Sequence, residues 1–447
     1  MSKSTKSDIS AKAGIQKSNG LVPELRFPEY RDADDWKRME LGEIASFYKG
    51  KGLPKSKIIA DGVNLCIHYG QLFTEYSEVI TEVKSRTNME GGFLSIENDV
   101  LMPTSDVTPS GLAKACSVKS DGIILGGDIL VIRTDKSNIN GEFLSRYIRS
   151  REKKVLELVT GSTVYHLYAS AIEKLQISIP SIDEQQKIAD CLSSLDDLIS
   201  AHTQKHQALK SYKKGLMQNL FPAEGKTTPA LRFPEFSSRE GWHKTRLIDV
   251  ADKKVKWSFI GGPFGSNLKS SDYVSEGVRI IQLQNIGDAE FMDEYKIFTS
   301  EEKANELLSN NIYPGDIILS KMGDPVGRAC LIPDNHSRYV MCSDGIRLVV
   351  DETSFSKYFI YVLINSSWFR ALVEKTATGS TRKRIGLDDL KKLLLIVPTL
   401  GEQQKIAKCL SFVDELITVQ AQKIEDLKAH KKGLMQQLFP SLEGVGT

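Results

Sequence analysis

"PSIDEQQKIADCLSSLDDLI" occupies residues 180–199, and "PTLGEQQKIAKCLSFVDELI" occupies residues 398–417. A shift of 218 positions aligns 180–222 with 398–440, and 26 of those 43 positions are identical. A second match has an offset of 206: "PELRFPEY" at 23–30 echoes "PALRFPEF" at 229–236, and Trp36 and Trp242 keep that offset. The chain therefore runs lead-in motif, variable region, conserved segment, and then all three again. The variable regions, roughly 46–160 and 252–378, resemble each other little, and the second is longer by 12 residues. A duplicated frame carries two divergent inserts.

The conserved segments read as helices. Ser181-x-x-Glu184 and Thr399-x-x-Glu402 are capping boxes directly after a proline, where a helix starts. Behind them apolar residues recur at steps of four and three: Ile188, Leu192, Leu195, Ile199, Leu209, Leu216 and Leu220 in the first copy. The second copy has Ile406, Leu410, Val413, Ile417, Ile424, Leu427, Leu434 and Leu438. This is an a/d seam over several heptads. Two packings satisfy it: each helix lies on its own domain, or the two helices zip together, and the narrow shared stripe favours zipping. The seam is broken by His202, His206 and Gln420. His202 and Gln420 are equivalent positions, read as register-setting polar contacts or as exposed residues where the helices splay.

Length sets the direction. An unbroken helix from Ile182 to Leu220 spans roughly 55–60 Å at about 1.5 Å per residue. A domain the size of the second variable region is only about 40 Å across. A parallel pair would need that region to bridge the whole helix, whereas an antiparallel pair places the end of one helix beside the start of the next. The expected fold is α+β: two globular domains separated by an antiparallel pair of long coiled-coil helices with pseudo-two-fold symmetry. The boundaries are a polar tail at 1–20, a domain at 21–179, a helix at 180–222, a domain at 223–397, a helix at 398–440, and a tail at 441–447. Gly215 and Gly433 allow a bend near each helix end.

The 447 residues exceed one ordinary core. A hydrophobic content of 40% with 26% charged residues indicates a globular chain. The longest apolar run, "LLLIV" at 393–397, is too short to cross a bilayer. The N-terminus lacks the apolar core of a signal peptide, so the cytoplasm is the default expectation. Six cysteines without C-x-x-C spacing read as buried thiols rather than a metal knuckle or disulfide framework. A net charge of +2 neither demands nor forbids a nucleic-acid partner.

Catalytic signatures are missing from the sequence. It has no G-x-x-x-x-G-K-[S/T] phosphate loop, no dinucleotide fingerprint and no H-E-x-x-H. "KMGDPVG" at 321–327 lacks the second proline and the aromatic of a D/N-P-P-Y/F motif, and Asp334 and Asp351 have no carboxylate partners at nuclease spacing. Binding chemistry is better represented. "FYKGKGLPKSK" sets Lys49, Lys51, Lys55 and Lys57 around two glycines, a flexible basic loop suited to phosphate oxygens. Tyr69, Gln71, Thr104, Ser105 and Asp106 are short polar groups able to read base edges. "TGSTVYHL" ends the first region with Ser162, Thr163, Tyr165 and His166, and "TGSTRKRI" ends the second with Ser380, Thr381, Arg382, Lys383 and Arg384. The second region adds Ser266, Asn267 and Lys269, then Gln282, Gln284 and Asn285, then Lys321 and Arg328. Each cluster alone is an ordinary solvated turn. Together they are a reused scaffold with two different reading surfaces.

With those residues in place, the layout resembles the specificity (S) subunit of type I restriction–modification enzymes. The resemblance rests on the "P-x-x-x-EQQKIA" openings, the "KKGLMQ-x-LFP" closings, the "LRFPE" lead-ins with their tryptophans, and "GPFGSNLK" at 262–269. It covers residues 23–440 and implies a non-catalytic subunit. Two target recognition domains would each read one half of an asymmetric bipartite site in double-stranded DNA. The helices would set the spacer and dock two methyltransferase (M) subunits, and restriction (R) subunits would join for cleavage. S-adenosylmethionine, ATP and magnesium would belong to those partners, with no cofactor in this chain. A protein–protein adaptor without nucleic acid, and a fused methyltransferase lacking familiar motifs, are the competing readings.

Overall fold

A computed structural model describes residues 21–380 and 382–440. The tails proposed at 1–20 and 441–447, and Thr381, lie outside the described residues. The chain forms two compact units, one comprising residues up to 202 together with those from 423 onward, the other residues 203–422. Each unit is an α+β domain completed by pieces of two long helices, Ile182–Leu220 and Leu400–Leu438. Both helices run through Gly215 and Gly433 without a break.

In the first unit, "VLMP" and the "ILVI" that opens the strand at 129–134 are apolar without alternation because their sheet is covered on both faces. Five strands run in the order Ala45–Lys49, Ile129–Thr134, Val100–Pro103, Cys116–Val118, Val79–Ile80. Their side chains sort by the period of two. Val100, Met102, Leu130 and Ile132 join a core with the helix Gly141–Ser150, whereas Leu101, Ile129 and Val131 join a second core beneath a four-stranded sheet. That sheet is Arg86–Thr87, Asn64–Ile67, Ile124–Leu125, Phe93–Leu94. Asn140 starts the helix by accepting from the Phe143 N–H.

The second unit has the same kinds of layer with different strands. Its four-stranded sheet is Phe259–Gly261, Gly345–Leu348, Ile317–Ser320, Ala329–Leu331. One face, with Ile317, Leu319, Ile346 and Leu348, packs on the helices Lys357–Ile364 and Ser367–Thr376. Ile318 and Cys330 face a core shared with a five-stranded sheet.

The repeated motifs are the mechanical frame of each unit. Strand Lys37–Glu40 pairs with Gln176–Ile179, closing the first variable region, and His243–Arg246 pairs with Leu394–Val397 in the same register. The Arg26 guanidinium forks onto Glu184 at 2.8 and 2.7 Å, and the Trp36 indole N–H donates to the same carboxylate. Arg232 forks onto Glu402 at 2.8 and 2.8 Å, with Trp242 as the third donor. These glutamates were expected to reach back to their own helix caps. The structure turns them to the lead-in arginines instead, because a fully buried carboxylate needs a cationic partner. The following glutamines also work internally. Gln185 accepts from the Asn140 N–H, Gln403 accepts from the Ser356 N–H, and each donates to the carbonyl of the proline before its helix.

The helices are antiparallel in both units, as expected. In the first, Ile188, Ala189 and Leu192 from the opening of one helix share a core with Leu434, Met435, Leu438 and Phe439 from the close of the other. In the second, Ile406, Ala407 and Leu410 share a core with Leu216, Met217, Leu220 and Phe221. Ion pairs repeat the pattern: Lys431 to Asp196 at 2.5 Å, and Lys213 to Asp414 at 2.6 Å. These are equivalent positions with the roles of the helices exchanged. The opening turns also pack on their own domains, so the two packings open in the sequence coexist. Val413, Ile424 and Leu427 are buried, while Leu195, Ile199, His202, Leu209 and Ile417 are half-buried. Gln420 is buried as well.

Candidate nucleic-acid interface

The sequence clusters become two rims, one per unit. In the first unit the TGST loop is a closed hairpin, with Thr160 and His166 exchanging backbone hydrogen bonds. Gly161 has a φ of 117°, and a Cβ there would stand 2.2 Å from the Val164 carbonyl, so glycine is required. Tyr165–His166 then pairs with Ser105–Asp106, the Leu167 N–H donates to the Thr104 carbonyl, and the Thr104 N–H donates to that of Asp128. Lys49, Thr104, Ser105, Asp128, His166 and Tyr168 thereby line one cavity of about 510 Å³. Lys49 pairs with Asp128 at 3.6 Å while staying largely exposed, and Thr163 stands exposed at the loop tip.

The basic loop after Lys49 is anchored rather than flexible. Its Gly50 and Lys51 N–H groups donate to Ile129 and Leu125, Gly52 accepts from Gly127, and a Cβ at Gly50 would lie 2.0 Å from the Gly126 carbonyl. Lys51, Lys55 and Lys57 project from this tethered backbone into solvent. Tyr69 lines an adjoining hollow of about 320 Å³ that also touches Asp128. Burial pushes the imidazole of its neighbour His68 below the ordinary range, and Lys55 adds to the fall.

Gln71 is not placed to read a base. It is buried, accepts from the His68 N–H, and donates to Glu75 and Ser85. Asn285 is likewise fully buried, accepting from the Gln282 N–H and donating to the Met292 and Tyr295 carbonyls. Amide side chains in a turn look alike in sequence whether they face water or brace the turn, so nothing local distinguished these two.

In the second unit five chain segments are stitched into one rim. The Gly262 N–H donates to the Gly345 carbonyl, Cys342 to Ile281, Lys321 to Asp344, Ile385 to Lys321, and Gly323 to Lys383. Met322 and Thr378 both form bridges with Arg384. Lys321, Gln282, Lys383 and Arg384 are thus brought together. Ser266, Asn267 and Lys269 are exposed on the loop that follows Gly262, and Gln284 is exposed beside Gln282. Gln282 itself donates to the Tyr273 hydroxyl at 3.0 Å. Arg384 pairs with Asp344 at 3.0 Å and Lys383 with Glu374 at 2.5 Å, while Ser380 and Arg382 are exposed. Arg382 has no anionic partner among the described residues.

Sequence reasoning passed over three aromatic residues. Phe264 is 81% exposed on the Gly262–Gly265 loop, whose backbone is held by Gly345. Tyr168 is exposed and stacks on His166, and exposed Tyr48 carries Arg133 over its ring. An aromatic residue beside glycines reads as core in sequence, and its exposure emerges only once the loop is anchored.

Among the described residues no cluster of His, Cys, Asp or Glu is suited to hold a metal ion. None of their helices is long and apolar enough to cross a membrane. Cys66, Cys116, Cys330 and Cys342 are buried thiols, and Cys191 and Cys409 are half-buried.

Comparison with known proteins agrees with this geometry. The model of the type I restriction modification DNA specificity domain matches twice, over residues 33–211 and 240–429. The chain is 24% identical over 423 residues to the type I restriction enzyme MjaVIII specificity subunit of Methanocaldococcus jannaschii, covering 93% of each. It is 24% identical over 281 residues to the StySPI specificity subunit of Salmonella potsdam, covering 60% of this chain and 58% of that one. Among solved structures, the S subunit of a type I restriction–modification system from M. genitalium superposes with a TM-score of 0.58 at 15% identity, covering 94% of this chain and 100% of that one. A chain from a second type I R-M system gives 0.54 at 18% identity, covering 91% and 98%. At those identities the structural likeness establishes the fold.

Proposed function

Because this chain belongs to the family of type I restriction–modification DNA specificity proteins, we propose that its two rims are the two halves of one DNA reader. Each unit reads one half of an asymmetric bipartite duplex site. The observation that carries this reading is the pairing of an identical frame with unlike rims. The Arg–Glu–Trp clamp and closing strand pair are the same in both units, while the TGST loops present Thr163, Tyr165 and His166 in one and Arg382, Lys383 and Arg384 in the other. A homodimer of one reader would select a palindrome; two readers in one chain select unlike half-sites.

Each long helix begins in one unit and ends in the other, so its residue count is the link that sets the spacer. The second helix also carries Phe412, Leu416 and Val419, exposed at 60%, 40% and 68%. Steps of four and three place them on one face, the pattern of a helix that receives a partner's helices. Two methyltransferase subunits dock on the helices in this reading, and restriction subunits join that assembly for cleavage. S-adenosylmethionine, ATP and magnesium act on those partners, in adenine methylation and endonucleolysis. The test is to co-express the chain with its methyltransferase partner and map methylated adenines in the host genome. Two unlike half-sites at fixed spacing are expected; methylation at palindromes, or at no recurrent sequence, overturns the reading.

A further inference from the structure

Arg328 and Arg370 carry two guanidinium groups with too few acceptors to satisfy them, and they lie near enough for the Arg328 charge to act on Arg370. Arg370 stands in the helix Ser367–Thr376, and its side chain is only 12% exposed. Its Nη2 donates to the Asp288 carboxylate and, at 2.8 Å, to the Asn365 Oδ1. Its Nε and Nη1 are buried and donate to nothing among the described residues. Asn365 Oδ1 also accepts from the Ala329 N–H at 3.2 Å, which ties the Arg370 head to the backbone next to Arg328. Arg328 has a buried, unpartnered Nε and no anionic side chain within salt-bridge distance among the described residues. Its Nη2 would lie 3.4 Å from a Cβ at Gly323, so the head rests against the rim loop that hydrogen-bonds to Lys383.

This arrangement is costly as it stands. Two like charges stand near each other in a partly desolvated region, the one carboxylate present reaches only Arg370, and three buried guanidinium nitrogens lack acceptors. Burial pushes the Arg370 guanidinium below its ordinary range, with Asp288 opposing and Arg328 adding to the fall. An anion with several acceptor oxygens removes the deficit, and planar guanidinium forks match phosphate oxygens in pairs.

We propose that Arg328 and Arg370 form a clamp for one phosphodiester group of the DNA backbone, holding the duplex in register on the second rim. The proposal rests on the DNA-reading function above. It makes Arg370 a positioning residue, not a base reader: phosphate contacts orient a duplex without carrying sequence information.

The experiment measures duplex binding by the full chain, co-expressed with its methyltransferase partner, across a salt series on cognate and unrelated DNA. Arg328→Gln is expected to weaken binding roughly tenfold on both and to lower the log–log salt slope by about 1. Arg370→Gln is expected to do the same, since it removes the charge and the fork of the second guanidinium together. Asp288→Asn removes the competing carboxylate from an exposed position and is expected to tighten binding, an outcome that a purely structural pair would not produce. Inorganic phosphate should raise the thermal midpoint of the wild-type chain and not that of Arg328→Gln. An unchanged salt slope in both arginine variants overturns the proposal. So does a phosphate effect on the midpoint with unaltered DNA binding, which marks a site for free anions. A wild-type complex without sequence-selective binding overturns the reading of the whole chain, and the phosphate titration still decides whether these arginines bind an anion.

Discussion

Arg232, Trp242 and Glu402 show how one buried carboxylate can hold a lead-in motif, a strand and a helix together. Glu402 is 1% exposed and accepts from both other residues. Glu402→Gln leaves the Arg232 charge buried without its counter-ion and is expected to destabilise the protein by about 3 kcal/mol or more, read from urea denaturation. Replacing Glu402 and Arg232 together with apolar residues of similar volume should recover much of that loss. The thiols behave differently. Burial pushes Cys330 up to about 12 and Cys342 up to about 11, and raises Cys66 and Cys116. Iodoacetamide at neutral pH is therefore expected to leave these four unmodified in the folded chain, checked by mass spectrometry before and after denaturation. On the second rim, Arg382→Ala should reduce the salt slope of DNA binding by about 1. Lys383→Ala and Arg384→Ala should reduce it less, because both cations already have carboxylate partners.

The two long helices meet in antiparallel register, and charged pairs at equivalent positions mark that register. Lys213 is 19% and Asp414 33% exposed, so this pair is only partly screened. Lys213→Asp is expected to destabilise the second unit through the Asp–Asp contact, and Asp414→Lys on that background to restore much of the loss, measured as a double-mutant cycle. The outward stripe is a separate matter. Phe412→Glu with Val419→Glu should leave the thermal midpoint nearly unchanged, because both side chains are already in water. The same pair should abolish co-purification of the methyltransferase partner; retention of that partner would move its docking site elsewhere.

For the whole molecule, if each unit reads one half-site, helical residue count is the link between the two. Four residues added within the first long helix lengthen it by about 6 Å, the rise of roughly two base pairs. Methylated-site mapping of such a variant is expected to keep both half-site sequences and change the spacer. An unaltered spacer would show that the helix is no ruler. The variant also tests the antiparallel packing, since an insertion in one helix alone must shift or bulge the pairing of Lys213 with Asp414 or of Lys431 with Asp196.

The amino-acid order alone determined the duplicated frame, the long helices, their direction and the positions of the two inserts. Those features follow from periodicity, helix length and repeat offset, all of which are local or additive along the chain. The tertiary structure decided the rest. Glu184 and Glu402 became clamps rather than caps, and Gln71 and Asn285 became internal braces, because the partner of a polar group is set by what folds against it. Arg370 could not be singled out in sequence from any other arginine in a helix. Its significance lies in the buried N–H groups left beside Arg328, a deficit that exists only after residues 42 positions apart have been brought to one place.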